Sequence, residues 1–223
     1  MIRLSVIPNN QARPLVISNH YSRAYPACNV RNYLVEENGQ PIGCIVFNVG
    51  NICIHRPFKV EPGEAIQLAR VALGEHTAPT SQIVATAIRL FHKEFPRVRV
   101  LVSYADGGQQ HWGTIYQAMN WQFVGAVKSR HYLIVDGKLM HTRQAGSLFG
   151  SSGVKRITEL GHKVEQSKSP GLKFKYVYLF DKSIQIIPLQ YPKCAGGVIG
   201  NTPDPQLGAE GSRPIPALPL ALS

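Results

Sequence analysis

The stretch from Glu64 to Tyr104 constrains the fold more than any other part of the chain. Residues 64–73 (Glu-Ala-Ile-Gln-Leu-Ala-Arg-Val-Ala-Leu) read as a strand. After a Gly74–Thr80 loop, Ile83, Val84, Ala87, Ile88 and Phe91 recur at three- and four-residue steps, the spacing of one buried helix face. Pro79-Thr80-Ser81 opens that helix with a hydroxyl cap candidate beside a proline, and Pro96 closes it. Arg99–Tyr104, rich in Val, reads as a second strand running into Ala105-Asp106-Gly107-Gly108. Upstream, Tyr33–Glu37 and Pro41–Val49 read as a hairpin about a Gly39-Gln40-Pro41 turn. Downstream, His111–Met119 reads as a short helix, Gln122–Val127 and Tyr132–Val135 as strands, and Lys173–Phe180 as a strand whose Tyr176 and Tyr178 pack the core. Strands and helices in this order predict a mixed α/β domain.

Composition excludes several classes. With 223 residues, 44% of them apolar, the chain can bury a real core and is no disordered polymer. No run reaches the roughly 18 apolar residues of a membrane span. Met1–Asn10 holds one Arg and then Pro8, without the apolar stretch of a secretory signal, so the expectation is a soluble, intracellular protein. Cys28, Cys44, Cys53 and Cys194 show no C-x-x-C spacing, which favours reduced thiols over disulfides or zinc.

The formal net charge of +11 calls for a polyanionic partner, nucleic acid being the commonest. It is unevenly spread. Residues 1–127 carry 11 basic and 7 acidic side chains, whereas 128–194 carry 12 basic and 4 acidic, a net of +8. Lys128, Arg130, Arg143, Lys155 and Arg156 of that segment, with Arg23, are the candidate phosphate contacts, and interleaved aromatics suit base stacking. We expect one domain over 1–195, including this basic segment, and an extended or disordered Gly/Pro-rich tail over 196–223.

The order of elements resembles the GNAT N-acetyltransferase superfamily, and Tyr116-Gln117-Ala118-Met119-Asn120-Trp121-Gln122-Phe123-Val124-Gly125 is similar to its ending of Tyr, small residue, aromatic and Gly. A more specific likeness is to the phage Mom-type DNA modification proteins, a divergent branch of that fold. It runs through Asn19-His20-Tyr21-Ser22-Arg23, Leu68-Ala69-Arg70, Ser81, Ser103-Tyr104-Ala105-Asp106 and Gly113–Trp121, in that order, over roughly residues 15–190. The resemblance implies a GNAT-like, mostly antiparallel central sheet flanked by helices, with a basic C-terminal extension. It also implies conversion of adenine to an N6-carbamoylmethyl form in phage DNA, as a shield against host restriction, within an infected or prophage-carrying bacterium. The functional residues it suggests are His20, Tyr21, Arg70, Ser81, Asp106 and Tyr116, and it brings in iron.

Each of those residues has a plainer alternative. Asp106 at a strand end can act as a general base, or simply open a turn before two glycines. Tyr116 can donate a proton, or pack its ring in the core. His20 can be a base or metal ligand, and Tyr21 can stack on a flipped base, provided the chain turns between them; a polar loop entering a helix capped by Asn19 is the rival. Arg70, inside an apolar strand, needs an anion from the site, the substrate or a core Glu. Ser81 is a helix cap before it is a nucleophile. His20 and Asp106 are the candidate iron ligands, imidazole and carboxylate suiting that metal, although acid–base roles rank higher because no tight ligand spacing exists.

The loop Arg70–Pro79 departs from the GNAT pattern Gln/Arg-x-x-Gly-x-Gly/Ala, in which backbone N–H groups hold the pyrophosphate of acyl-CoA. It has one glycine, a carboxylate and a proline without an N–H, which argues against acyl-CoA held in the usual manner. Acyl transfer to N6 would in any case form an amide, whereas carbamoylmethylation joins N6 to a CH2 carbon. The expectation is a transferase acting on the N6 amine of double-stranded DNA. The alternatives are an ordinary acyl-CoA-dependent N-acyltransferase and a non-enzymatic DNA-binding protein.

Overall fold

A computed structural model describes residues 1–128, 132–166 and 172–192. The chain runs β1 (Ile2–Val6), α1 (Asn9–Asn19), β2 (Asn29–Glu37), β3 (Gln40–Asn48), β4 (Ala65–Leu73), α2 (Thr80–Glu94), β5 (Val100–Asp106), α3 (Thr114–Gln117) and β6 (Gln122–Lys128). It continues through β7 (Tyr132–Val135), β8 (Lys138–His141), α4 (Thr142–Phe149), α5 (Val154–Glu159), β9 (Val164–Gln166) and β10 (Leu172–Leu179). Seven strands form one sheet in the order β1-β2-β3-β4-β5-β10-β6, in which β4 and β5 alone are parallel neighbours. The expected mixed, mostly antiparallel sheet is therefore what the chain builds. No helix among the described residues is long and apolar enough to cross a membrane.

One face of the sheet is covered by α2, whose Ile83, Val84, Ala87, Ile88 and Phe91 are all buried, as their spacing predicts. Burying side chains of this size contributes about 1.5–3 kcal/mol for each large one, which fixes the helix over Tyr33, Phe47, Leu68 and Leu101. The opposite face is covered at one end by α1, through Ala12 and Val16 against Cys44, Val46 and Ala72. Sequence periodicity missed α1 because the helix buries so little and carries Pro14, which has no N–H for the i−4 carbonyl. Asn19 accordingly ends a helix instead of capping the start of one.

Two other expectations are corrected, and one expected strand falls outside the main sheet. The hairpin turns at Asn38-Gly39, with φ of 53° and 81°, so Gln40 and Pro41 already belong to β3. Two adjacent left-handed residues match the strand twist, and Asn-Gly is the pair that adopts them most readily. The short helix covers only Thr114–Gln117, because Gly113 precedes it at φ 76° and His111 N–H is taken by the Asp106 carbonyl at 3.1 Å. β7 leaves the main sheet altogether and pairs with β8 and β9 in a separate three-stranded sheet, with its own core of Leu133, Val135, Met140, Ala145 and Ile157. Much of the basic segment is thus an insertion between the neighbours β6 and β10. Met1–Pro192 form one unit; Arg130, the Arg143 side chain, Cys194 and the tail over 196–223 lie outside the described residues.

Candidate functional site

β4 and β5 pair only over Ala65–Gln67 and Val100–Val102, and beyond those rungs they part. Several of the candidate side chains gather at that opening. Their placement depends on a bulge: Val46 faces Arg70 and Phe47 faces Leu68, so β4 carries one extra residue, Ala69. Without it Arg70 would share the face of Leu68, under α2. With it Arg70 and Ala72 share the α1 face with Val46 and Cys44, while Val71 and Leu73 return to the other side. Arg70 is half-buried there and donates to the carbonyls of Ala24 at 3.2 Å and Ala69 at 2.7 Å.

Asp106 lies on the same face of β5 as Val100 and Val102, opposite to Leu101, Ser103 and Ala105. It is 8% exposed and caps a 3-10 turn over Gly107–Gln109. One carboxylate oxygen accepts Gly108 N–H at 3.1 Å; the other accepts the Tyr21 hydroxyl at 3.2 Å. Asp106 therefore opens the turn with one oxygen and holds Tyr21 with the other. Gly107 cannot be larger, since a Cβ would meet the Leu172 carbonyl and the Phe174 ring at 2.9 Å.

The chain does turn at His20-Tyr21, where Arg23 N–H closes on the His20 carbonyl at 2.8 Å. The His20 and Tyr21 rings lie 4.4 Å apart, and His111 meets Tyr21 edge-on at 5.4 Å. Burial, the Arg70 charge and His111 together push the His20 pKa down to about 4, so the ring is neutral near pH 7. Its tautomer follows from geometry. Ser22 N–H donates to His20 Nδ1 at 3.2 Å, and the Ser22 hydroxyl lies 2.8 Å from the same atom. A backbone N–H can only donate, so Nδ1 holds a lone pair and the ring proton sits on Nε2. Burial and Asp106 raise the Tyr21 pKa, which keeps the phenol a donor.

That geometry bears on the iron the resemblance implies. A metal at His20 Nε2 would send the ring proton to Nδ1, donor against donor with Ser22 N–H. Each Asp106 oxygen already accepts one hydrogen bond from the protein, which leaves it a single lone pair. Among the described residues no three His, Cys, Asp or Glu side chains cluster closely enough to hold an ion. The residues present do not fit an iron site.

Tyr116 is buried on the α2 side of the sheet. Its hydroxyl lies 2.7 Å from Ser103 Oγ, itself 2.8 Å from the Leu68 carbonyl. The carbonyl can only accept, so Ser103 donates to it and Tyr116 donates to Ser103. This chain bridges β4 and β5 just past their last shared rung, and burial pushes the phenol up to about 12. Tyr116 thus backs the opening from the far side and has no direct bond to Asp106. Ser81 is not the helix cap: Pro79 takes that position, without a side-chain bond. Ser81 lines a groove of about 740 Å³ between α2 and Met119–Trp121, apart from the Tyr21–Asp106 pair.

Sequence reasoning missed three participants. His111 figures in the sequence only as the start of a short helix, and the fold alone shows its ring against Tyr21. Tyr132, at the start of the inserted sheet, is near enough for Asp106 to raise its pKa, burial being the larger cause. Glu37, at the end of β2, reaches the loop before α2, accepting Thr77 N–H at 2.9 Å, the Thr77 hydroxyl at 2.7 Å and Ala78 N–H at 2.8 Å. Of the candidate phosphate contacts, Arg23, Lys128, Lys155 and Arg156 are exposed, Arg156 lying 3.4 Å from Glu159.

Residues 1–193 match the family model of the Mom protein family. No curated protein matches the sequence. Among solved structures, a protein assigned as a phosphinothricin N-acetyltransferase aligns with a TM-score of 0.50 at 10% identity, over 82% of this chain and 100% of its own. An IAA acetyltransferase from Bacillus cereus gives 0.47 at 10% identity, over 81% and 100%. A Bacillus subtilis acetyltransferase, solved in complex with CoA, gives 0.48 at 10% identity, over 81% and 99%. At 10% identity the first of these shows a likeness of fold alone, that of an N-acetyltransferase.

Proposed function

The chain belongs to the Mom protein family, and on that premise we propose that it is a transferase acting on the N6 amine of adenine in double-stranded DNA. The product would be the N6-carbamoylmethyl base that shields phage DNA from host restriction. The observation that carries this proposal is the Tyr21–Asp106 hydrogen bond, which joins residues 85 positions apart at the mouth of the β4–β5 opening. Arg70 and His20 stand close enough for their charges to interact.

The residues divide the work as follows. Each carboxylate oxygen of Asp106 has two lone pairs and accepts one bond from the protein, so one pair is left to take a proton from the weakly nucleophilic N6 amine. Tyr21 fixes the carboxylate and, with His20 and His111, offers ring surface to a base flipped out of the duplex at a cost of a few kcal/mol. His20 presents an N–H, suited to an acceptor atom of the substrate. Arg23, Lys128, Arg130, Arg143, Lys155 and Arg156 hold phosphates and offset the flipping cost.

Nucleoside mass spectrometry of DNA from cells expressing the protein tests this function. A mass increase on deoxyadenosine that vanishes with Asp106→Ala is the expected result. Unmodified adenine under good expression of folded protein would overturn it.

A further inference from the structure

The loop between β4 and α2 is where a GNAT fold holds acyl-CoA, its backbone N–H groups pointing at the pyrophosphate. In this chain three of those groups already have partners and a fourth position has no N–H at all. Gly74 N–H is taken by the Ile42 carbonyl at 2.7 Å, Thr77 and Ala78 N–H by Glu37, and Pro79 has none to give. His76 braces the loop from within, one ring nitrogen 2.7 Å from the Gly74 carbonyl and the other 2.9 Å from the Thr80 hydroxyl.

We infer that the Glu37 carboxylate is the resident anion of this loop, and that the chain takes the group it transfers from a donor not anchored there by a pyrophosphate. The inference rests on the transferase function proposed above. Each N–H carries a single proton, so an incoming phosphate could take the Thr77 and Ala78 N–H groups only by evicting the carboxylate. Glu37 is not loosely placed: it sits in register with Gln40 at the last rung before the Asn38-Gly39 turn, which aims it across at the loop. Three donors converge on it, and the Thr77 N–H bond is the chief reason its pKa is held below the usual carboxylate range. An ionised carboxylate there also repels a second anion a few ångströms away. One charge thus fills the cradle from inside the fold, whereas a pyrophosphate cradle must be empty of anions when its ligand arrives.

The test is calorimetric titration of the full-length protein with inorganic pyrophosphate, CoA and acetyl-CoA, alongside Glu37→Gln and Glu37→Ala, with circular dichroism confirming that all three are folded. Wild type is expected to show no saturable binding of any probe below about millimolar concentration. Both variants are expected to gain at least tenfold in affinity for pyrophosphate, because the repulsion is gone in both and Glu37→Ala also frees the N–H groups. Micromolar binding of CoA by wild type would overturn the inference, and so would the absence of any gain in both folded variants. Neither result touches the DNA assay: adenine could still be modified by a protein that binds CoA, and an unmodified genome would leave the loop chemistry unchanged.

Discussion

Replacing Tyr21 by Phe removes one oxygen and keeps the ring that touches His20 and His111. The lost bond is a hydroxyl donating to a carboxylate, worth about 1.5–3 kcal/mol when well formed. At 3.2 Å it is long for an O–H···O contact, so the low end applies, about 1.5 kcal/mol, or roughly tenfold in rate if the bond orients Asp106 in the transition state. Asp106→Asn removes the base itself and should cost about 10²–10⁴-fold. The two effects belong to one interaction, so the double variant should be no slower than Asp106→Asn alone. Because burial and Asp106 both raise the Tyr21 pKa, wild type should show no alkaline fall in rate from loss of this proton near neutrality. The assay is the rate at which modified deoxyadenosine accumulates in a defined duplex, read by mass spectrometry after nuclease digestion, with urea midpoints showing equal stability. Tyr21→Phe at wild-type rate would mean the hydroxyl is idle. Tyr21→Phe as slow as Asp106→Asn would mean the phenol does chemistry of its own. Either result refutes the positioning role.

If His20 serves as an N–H donor, His20→Gln, which keeps an N–H at similar reach, should retain activity within about tenfold while His20→Ala falls further; equal losses would point to a base. The same ring makes stability pH-dependent: its pKa drops from 6.5 unfolded to about 4 folded, so the unfolded chain binds more protons between those values. Stability is then full above pH 6.5 and declines as pH falls toward 4, and the melting-temperature advantage of wild type over His20→Gln should narrow across that window. Gly113→Ala should destabilise by about 2 kcal/mol or more in urea titration, since φ is 76° and the new Cβ would lie 2.2 Å from the Tyr176 ring. Charge reversal at Lys155 and Arg156 should weaken duplex binding and flatten its salt dependence by up to about two phosphate contacts; an unchanged slope would move the DNA surface elsewhere.

The frame of the fold was legible because β4, α2 and β5 each carry their own periodic signal, and the five residues spaced along α2 are the ones that pack. α1 was hidden by weak amphipathicity and an internal proline, features that long-range packing on Cys44 and Ala72 overrides. The bulge at Ala69 left a faint trace, since apolar alternation runs through Ile66 and Leu68 and then resumes one step late at Val71 and Leu73. That phase slip puts the arginine of an apolar strand on the face of Val46 and Ala72. His20, Tyr21, Arg70 and Asp106 were found through resemblance, not spacing: they come from three distant segments, and no local pattern encodes their meeting. Glu37 was invisible for the same reason, its partners lying 40 and 41 residues away.

The opening between β4 and β5 has two unlike sides, and their difference bears on the substrate. On the α2 side Ser103 and Tyr116 tie off their own protons, and Glu37 closes the nearby loop to anions. On the α1 side stand Asp106, Tyr21, His20 and Arg70, with a neutral imidazole N–H and a phenol half open to solvent. Tyr132, first residue of the inserted sheet, lies within electrostatic reach of Asp106 and Tyr21. The segment carrying +8 therefore begins beside the carboxylate. A chain that anchored a polyanionic donor at this loop would keep the Thr77 and Ala78 N–H groups free, whereas here Glu37 takes both. Under the function proposed above, the polyanion that the net charge calls for is the acceptor, a nucleic acid bound for modification of one of its own bases.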